Sequence, residues 1–437
     1  MSPKRTPSAA WRVAVFATLA AAGSVTRAET LDEAWQAALA ADARFAAATS
    51  RSQANEAALE AARAERLPSV TATVASSLWR DTPAFDLGGI GFPAGQPLFA
   101  GDTLNVASAQ VSVPLYMGGA LTANVAAAAA DRDGQLLSTA TVRQDLKLAV
   151  ASAYIGVLRA ASTLEIVRSN AASLAAHARD VEDMRRTGQV PTNDYLAAAV
   201  SLADARQREL QAQSALEIAH ATYNRRVGRP FEAPVDLEPL TAPLGGPAIA
   251  APLAELVAAA RAARPELAGL DATADALAAR AAAARAVRRP QLALNGGYAY
   301  LENTFLNRED FWFVALGVRM NVFDSGRIRH ASATLERQSA AVSDDRRDRE
   351  SEIELEVHRA SADLSTARAR LEVAAGAIQQ AEENLRVVRD RYRNGEGTNT
   401  EVLDAEALRA QSAGNLDAAH YDLRLAELTL ARAIGAL

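Results

Sequence analysis

The sequence predicts an α+β fold built from one unit, a β-hairpin followed by a very long helix, that occurs twice along the chain. Three observations carry this prediction. Pairs of segments of about ten residues alternate apolar with small or polar side chains, which is typical of β-hairpins. A heptad repeat of apolar residues follows each pair, which is typical of packed helices. The second hairpin and helix repeat the first in register, which indicates an internal duplication.

The composition favours long, closely packed helices. Hydrophobic residues make up 49% of the 437 residues. About half of them are alanine, the best helix former, whose small side chain lets helices approach closely. The chain contains no cysteine, which excludes disulfides, thiolate metal sites, a cysteine nucleophile and a lipid anchor on an N-terminal cysteine.

Residues 1–28 have the pattern of a secretory signal peptide: basic residues, an apolar run over 13–22 and a small-x-small cleavage site that ends at Ala28. The run is too short to span a bilayer, and no other uncharged apolar stretch of about 18 residues follows, so no membrane-spanning helix is predicted. Removal of the peptide takes away four of the 46 basic residues and none of the 52 acidic ones, which changes the formal net charge from −6 to −10. A chain this acidic is a poor binder of nucleic acid.

The first predicted repeat covers residues 29–228, with a helix, a β-hairpin over 69–115, a long helix over 120–187 and a returning helix over 192–227. Each strand of the hairpin has one mainly apolar face and one small or polar face. The apolar faces are Val70, Ala72, Val74, Ser76 and Leu78, then Ala107, Ala109, Val111, Val113 and Leu115. A stretch rich in Gly and Pro lies between the two strands and predicts a surface loop.

A proline-rich linker over 229–252 leads to the second predicted repeat, residues 253–437, with a helix, a β-hairpin over 291–322, a long helix over 326–394 and a helix over 399–435. The two repeats align at an offset of 222 residues before the hairpins and of 207 residues after them. The difference corresponds to extra residues in the first hairpin loop.

The long helices carry apolar residues at two positions of each heptad. In the second repeat these are Val357, Ala360, Leu364, Ala367, Leu371, Ala374, Ile378, Ala381, Leu385, Val388 and Tyr392. The positions 207 residues before the first ten, from Val150 to Val181, are apolar as well. Larger residues alternating with alanine predict closely spaced helices. At about 1.5 Å per residue, each long helix is predicted to be a rod of roughly 100 Å.

Two features of the hairpins indicate more than an ordinary half-buried sheet. The small or polar face continues along each strand, and aromatic residues collect near the strand ends, at Trp79, Phe99, Phe311 and Trp312. An apolar outer face, a polar inner face and aromatic belts are typical of a transmembrane β-barrel. Four strands cannot close a barrel and open strand edges are not tolerated in lipid, so the chain is predicted to oligomerise.

The order of these elements and four local motifs resemble the TolC-like family of outer-membrane efflux and secretion channels, in its non-lipidated branch. The motifs are LDEAWQAAL near the start, SVPLYMGGAL and MNVFDSGRI where strands pass into helices, and RYRNGEGTNTEVLDAEAL at the last helical turn. The resemblance covers essentially the whole chain after the signal peptide.

The resemblance implies a homotrimer in the lipid of the bacterial outer membrane, with a 12-strand transmembrane β-barrel made of four strands per copy. A long α-helical coiled-coil barrel would continue it into the periplasm. It also implies a passive exit duct of a tripartite efflux pump or type I secretion system, for drugs, small molecules or proteins. The implied partners are a periplasmic adaptor (membrane fusion protein) and an inner-membrane pump or ABC transporter, and the sequence does not separate drug efflux from protein secretion.

In the family, acidic residues ring the channel where it narrows, at the turns between long and short helices. By motif, the matching positions are Glu401 and Asp404, with Asp194 in the first repeat and Tyr392 before the turn as latch partners. Thr398 and Glu401 also match a capping box, so capping alone is the other interpretation of Glu401.

Glycines mark the predicted turns. They are Gly118, Gly119 and Gly326 between strand and helix, and Gly188 and Gly395 between helices. Gly397 stands where some family members use an arginine in the latch. The closed state is therefore expected to be held by other contacts, or to be weaker.

No pattern of nucleophile, base and orienting residue is visible, and the five histidines are isolated from carboxylates at ligand spacing. Neither an enzyme nor a metal site is predicted, and no cofactor is expected. The alternative function is a periplasmic coiled-coil adaptor or scaffold that does not enter the membrane. The duplicated hairpins argue against it, because an adaptor needs no paired strands with aromatic ends.

Overall fold

The computed structural model describes residues 28–85, 96–304 and 306–437. The predicted signal peptide, up to residue 27, lies outside the described residues. The helices are α1 (Leu31–Ala41), α2 (Ala43–Ala64), α3 (Ala120–Arg186), α4 (Thr192–Val227), α5 (Leu253–Ala263), α6 (Pro265–Ala286), α7 (Arg327–Arg393) and α8 (Asn399–Ala433). The strands are β1 (Ser69–Leu78), β2 (Ala84–Phe85), β3 (Gln96–Pro97), β4 (Thr103–Met117), β5 (Gln291–Leu301) and β6 (Asp310–Arg319).

Corresponding helices of the two repeats have matching lengths. Helices α1 and α5 have 11 residues each, α2 and α6 have 22, and α3 and α7 have 67. The helix before each hairpin is divided in two, because Asp42 and Arg264 adopt extended backbone conformations. Asp42 then caps the next helix, since its carboxylate accepts hydrogen bonds from the backbone N–H of Arg44 and of Phe45.

Strands β1, β4, β5 and β6 form one antiparallel sheet in the order β1-β4-β5-β6. Strands β4 and β5 belong to different repeats, so their ladder joins the two hairpins into one sheet. The register shifts between Pro114 and Tyr116, where proline has no N–H to donate to the ladder. Strands β1 and β6 are the outer strands, and each leaves one edge without a partner strand in the part of the chain that the structure describes.

The register places the large apolar side chains on one face of the sheet. This face carries Val70, Val74, Leu78, Val111, Tyr298, Trp312, Val314, Leu316 and Val318, which are 39–84% exposed. The opposite face carries mostly Ser, Thr, Ala, Asn, Gln and Gly. This is the distribution of a barrel wall with lipid outside and water inside.

The predicted aromatic belt is only partly correct. Trp312 lies on the apolar face, but Phe311 lies on the other face, opposite Ala299. Phe99 is buried and packs against Trp79, with 6.2 Å between the ring centroids. Successive residues of a strand point to opposite faces, so Phe311 and Trp312 cannot belong to one belt.

The long helices carry different neighbours along their two halves. Near the sheet, α3 packs against α2 and α6, and α6 packs against α7; farther away, α3 packs against α4 and α8, and α8 packs against α7. The far half therefore has the order α4-α3-α8-α7.

Among the described residues, α3 contains one 18-residue stretch that is long and apolar enough to cross a bilayer. Core helices of soluble proteins can be equally long and apolar, and 33% of this stretch is buried in the structure.

The heptad seam of α7 is buried along most of its length. The buried positions are Val357, Ala360, Leu364, Ala367, Ala381, Leu385 and Tyr392. The proline-rich linker lies across the middle of the molecule, where the Asn224 side chain donates hydrogen bonds to the carbonyl oxygens of Phe231 and Ala233 at 3.1 and 2.8 Å.

A buried arginine joins the two halves of the second repeat. Arg264 donates to the carbonyl oxygen of Ala433 at the end of α8 (3.2 Å), to Glu356 (2.8 Å) and to Glu266 (3.0 Å). Burial raises the pKa of Glu266, but the hydrogen bond from Arg432 and the charges of Arg432 and Arg264 outweigh it and keep this pKa below its usual value. The site is therefore a charged network in which Arg264 and Arg432 are buried, Glu266 is mostly buried and Glu356 is partly exposed.

Arg264→Met should lower the free energy of unfolding by about 3–5 kcal/mol, because it removes the buried donor to the Ala433 carbonyl oxygen and one of the two arginine partners of Glu266. The matched control is Arg261→Met, three residues earlier in α5, whose side chain is 48% exposed in its ion pairs with Glu350 and Glu354. We expect a loss of about 0–1 kcal/mol there. The thermal midpoint of the detergent-solubilised protein measures both. Equal midpoints for the two variants would contradict the assigned role of Arg264.

Candidate functional site

The candidate site is the helical tip, where α3 turns into α4 and α7 turns into α8. Gly188 and Gly395 follow the two long helices with φ of 75° and 76°. This left-handed conformation favours glycine, and it lets the backbone N–H of Gln189 bond to the carbonyl oxygen of Met184 at 2.8 Å. The turns thus bring the starts of α4 and α8 to the same end of the molecule.

Glu401 and Thr398 form the capping box at the start of α8. The backbone N–H of Glu401 donates to the Thr398 hydroxyl at 3.3 Å, and the backbone N–H of Thr398 donates to the Glu401 carboxylate at 3.1 Å. Glu401 is nevertheless exposed, and so is Asp404 one turn later. Capping therefore occupies Glu401 without removing its charge from the surface, while Asp404 has no part in the cap.

Tyr392 is buried at the end of α7, and its ring lies 5.6 Å from that of His177. Within the described residues its hydroxyl has no hydrogen-bond partner. Burial raises the pKa of Tyr392, and the nearby negative charge of Asp194 raises it further. Asp194 and Tyr392 are therefore close, but no hydrogen bond from the phenol joins them in this conformation.

Asn399 provides the polar link between the two helical hairpins at the tip. Its side-chain N–H donates to the backbone carbonyl oxygen of Asp194 on α4 at 3.0 Å. Its side-chain oxygen lies 2.7 Å from Nε2 of His177 on α3, and because this oxygen can only accept, the proton lies on Nε2. Asn399 and His177 are both buried, so this link is shielded from water.

A buried carboxylate lies about two turns after Asn399 along α8. Glu406 is 1% exposed, accepts a hydrogen bond from the Ser173 hydroxyl at 2.8 Å and pairs with Arg389. Arg389 also bonds to Ser173, so three helices meet at this pair. Sequence reasoning missed Glu406, His177 and Asn399. The only signal was an acidic residue beside the apolar seam of α8.

Gly397 lies where a larger residue has little room. A Cβ atom at this position would lie 3.1 Å from a carboxylate oxygen of Glu401 and 3.2 Å from the backbone nitrogen of Tyr392. The capping box and the end of α7 therefore close around the position at which the resemblance implied an arginine. The Asn399 link, rather than a side chain at 397, connects the hairpins.

The other predicted glycines lie at the junction of sheet and helices. Gly118, Gly119 and Gly326 have φ of 65°, 93° and 87°. A Cβ atom on Gly118 would lie 2.4 Å from the carbonyl oxygen of Ala286, so only glycine fits there. In the second repeat Asp324 accepts hydrogen bonds from the backbone N–H of Gly326 and of Ile328, which caps the first turn of α7. Within the described ranges, no group of three or more His, Cys, Asp or Glu could hold a metal ion.

A sequence model of the outer membrane efflux protein family matches residues 34–229 and 256–436. The chain belongs to the outer membrane efflux protein family. It is an outer-membrane exit duct for efflux with a long periplasmic helical extension, and the family consists of conduits. This decides against the alternative of a periplasmic adaptor that does not enter the membrane.

Solved structures of outer-membrane channels have the same fold. VceC from Vibrio cholerae is 17% identical with a TM-score of 0.79 and alignment over 93% of this chain and 96% of VceC. CmeC from Campylobacter jejuni is 13% identical, with a TM-score of 0.77, and the alignment covers 93% of this chain and 85% of CmeC. MtrE from Neisseria gonorrhoeae, solved in its open state, is 18% identical, with a TM-score of 0.71, and the alignment covers 93% of this chain and 88% of MtrE. A comparison with curated protein sequences finds no match.

Asn399→Ala should increase the fraction of time that the channel spends open, because it removes the two hydrogen bonds that Asn399 makes to the other hairpin. Tyr392→Phe should change little, since the phenol oxygen has no hydrogen-bond partner at the tip of the described structure. Single-channel conductance of the purified protein in planar bilayers measures both. A larger effect from Tyr392→Phe than from Asn399→Ala would mean that the phenol, and not Asn399, holds the closed state.

Proposed function

We propose that three copies of this chain close into one continuous duct that crosses the outer membrane and extends into the periplasm as a helical barrel. Solutes pass through it passively. A periplasmic adaptor and an inner-membrane pump or ABC transporter supply the energy and choose the substrate, and the same duct can serve drug efflux or type I secretion. The unpaired edges of β1 and β6 carry this proposal, because lipid offers no hydrogen bonds to exposed strand edges.

The two edges are compatible with each other. Each strand of the sheet is antiparallel to its neighbour, so β6, the fourth in order, runs opposite to β1. Strand β6 of one copy can therefore add to β1 of the next copy and continue the antiparallel ladder. Repetition of this pairing in three copies gives twelve strands without a free edge.

The helices support the same arrangement. In the far half, α4 and α7 each have one side without a helical neighbour among the described residues. One face of α4 carries exposed apolar residues spaced 4, 10 and 8 residues apart, Leu196, Val200, Leu210 and Ile218, and α7 exposes Val373. An exposed apolar stripe along one face of a helix favours a further helix as partner.

The internal duplication indicates which residues meet. Within the chain, Ser162 on α3 hydrogen-bonds to Asp417 on α8. At the offset of 207 residues, the residues equivalent to these are Ala369 on α7 and Leu210 on α4. If α4 packs against α7 of the next copy as α8 packs against α3, Leu210 lies over Ala369 of that copy. The contact between copies is then apolar where the contact within the chain is polar.

The double variant Leu210→Cys with Ala369→Cys should form disulfides between copies on mild oxidation, because facing residues of packed helices bring Cβ atoms within bonding range. The chain has no other cysteine, so the background is zero. Covalent trimers on non-reducing gels after heating measure the result. The control pairs Leu210→Cys with Ala360→Cys, which is buried on the α8 side of α7. Equal cross-linking of both pairs, or none of the first in an intact trimer, would contradict the arrangement.

The same symmetry supports a gate at the helical tip. Three copies of Asp404, and of Glu401 beside it, would surround one axis, with Asp194 in the neighbouring turns. Both Glu401 and Asp404 are exposed in the single chain, so their charges are available to the channel. Like charges held around a narrow opening attract cations and repel anions.

Asp404→Asn with Glu401→Gln should reduce cation selectivity and weaken block by divalent or trivalent cations, with little change in trimer stability. Gln at position 401 can still complete the capping box, so helix α8 keeps its start. Reversal potentials in salt gradients across planar bilayers measure the selectivity. If selectivity and cation block are unchanged in a correctly inserted double variant, the two carboxylates serve only the helix.

A further inference from the structure

The inner face of the sheet carries two phenylalanines among small and polar residues. Phe311 and Phe313 lie on the face opposite the exposed Trp312 and Val314. They are 42% and 41% exposed, so a large part of each ring reaches the space that becomes the lumen of the proposed barrel. Both belong to the half of β6 that is farther from the helices.

The neighbouring strand β5 leaves these rings uncovered. Phe313 pairs with Gly297 and Phe311 pairs with Ala299. A Cβ atom on Gly297 would lie 3.0 Å from the Phe313 ring, so this ring rests on the backbone where a side chain is missing. Packing on glycine explains the position of Phe313, but Phe311 has no such partner.

A neighbouring copy cannot cover the rings either. In the proposed trimer, β6 pairs with β1 of the next copy. The residues of β1 on the inner face are Ser69, Thr71, Thr73, Ala75 and Ser77. All are small, so each pair of rings would form a ridge with a shallow groove on both sides, repeated three times around the lumen.

The end of the barrel beyond these rings is acidic. In the described parts of residues 79–104 and 300–310 there are five acidic residues and two arginines. The acidic residues are Asp81, Asp102, Glu302, Glu309 and Asp310, and the arginines are Arg80 and Arg308. The one charged residue of β6 on the inner face, Arg319, lies at the other end of the strand, six residues or roughly 20 Å from Phe313.

We propose that the outer mouth of the lumen is a binding site for aromatic cations, which stack on Phe311 and Phe313 while the acidic rim attracts their charge. The proposed site rests on the proposed trimeric duct. It would bind these solutes at the last point of the duct before they leave the cell. A phenyl ring attracts a cation over its face, and a flat aromatic solute gains further by stacking on it. Solutes that lack both a positive charge and aromatic rings gain neither interaction, and aromatic anions lose the attraction of the cation to the ring face.

The test uses the purified trimer in planar bilayers, with tetraphenylphosphonium added on the extracellular side. This side reaches the mouth without any opening of the helical tip. We expect brief blockades of the current in the wild-type channel. Phe311→Ala with Phe313→Ala should weaken the apparent affinity of block roughly 5- to 30-fold. Trp312→Ala, between them on the lipid face, is the matched control and should leave the block unchanged.

Three comparisons decide which chemistry is responsible. Tetraethylammonium has the charge without the rings and tetraphenylborate has the rings with the opposite charge, so both should block much more weakly. Phe311→Leu with Phe313→Leu keeps an apolar surface, and block that persists in it would remove the aromatic part of the proposal. Equal block by tetraphenylborate would remove the part played by charge.

The outcomes separate this proposal from the duct itself. Equal block of a conducting wild-type channel and a conducting double alanine variant would overturn the aromatic site and leave the duct intact. A purified protein that forms neither trimers nor channels would overturn the duct. Normal conductance of the double variant without blocker shows that the barrel has folded.

Discussion

The hydrogen-bonding groups along the edges of β1 and β6 are the constraint on which the rest of the structure depends. In water they would be solvated at little cost, but in hydrocarbon each unpaired group costs several kcal/mol. The chain supplies four strands with one mainly apolar face, which favours contact with lipid. Four strands are too few to close a barrel within one copy. The helices also need a neighbouring copy. The free sides of α4 and α7 expose apolar side chains, which favours packing against helices of another copy.

The internal duplication lets the same type of helix contact occur within a copy and, in the proposed trimer, between copies. The two contacts differ chemically. The contact between α3 and α8 is polar, with Ser162–Asp417 and Ser173–Glu406 pairs, and the burial of Asp417 raises its pKa. Such pairs fix how two helices align, since a displaced helix would leave buried polar groups without partners. At the equivalent positions α4 carries Leu210 and Ala199, and α7 carries Ala369 and Gln380. The two carboxylates of α8 are therefore replaced by apolar residues on α4, which suits association between separate chains.

The positions of the strands and the long helices follow closely from the sequence, because the apolar residues of each element repeat with a characteristic spacing within that element. The helices predicted over 120–187 and 326–394 are observed at Ala120–Arg186 and Arg327–Arg393. The last strand ends at Arg319, three residues before the end of the predicted hairpin, since the apolar alternation continues beyond its hydrogen-bonded pairs.

The candidate site was much less predictable. The turn glycines and the capping box are local patterns, whereas the bond between His177 and Asn399 joins residues 222 positions apart. Nothing in the sequence near either residue indicates the other. The same limit applies to Phe311, whose aromatic character suggested a lipid belt, while its face of the sheet depends on a register set by pairing with β5.

The ladder between β4 and β5 also determines when the sheet can form. Its paired residues are 174 to 195 positions apart, from Met117 with Gln291 to Val106 with Leu301, whereas those of β1 and β4 are 25 to 43 apart. Closing so long a loop is entropically costly unless the intervening chain is already compact. We therefore expect the helices between the two hairpins to fold first. Until then each hairpin is an isolated pair of strands, which is marginally stable in water. Folding in this order delays assembly of the complete apolar face until the helices are built.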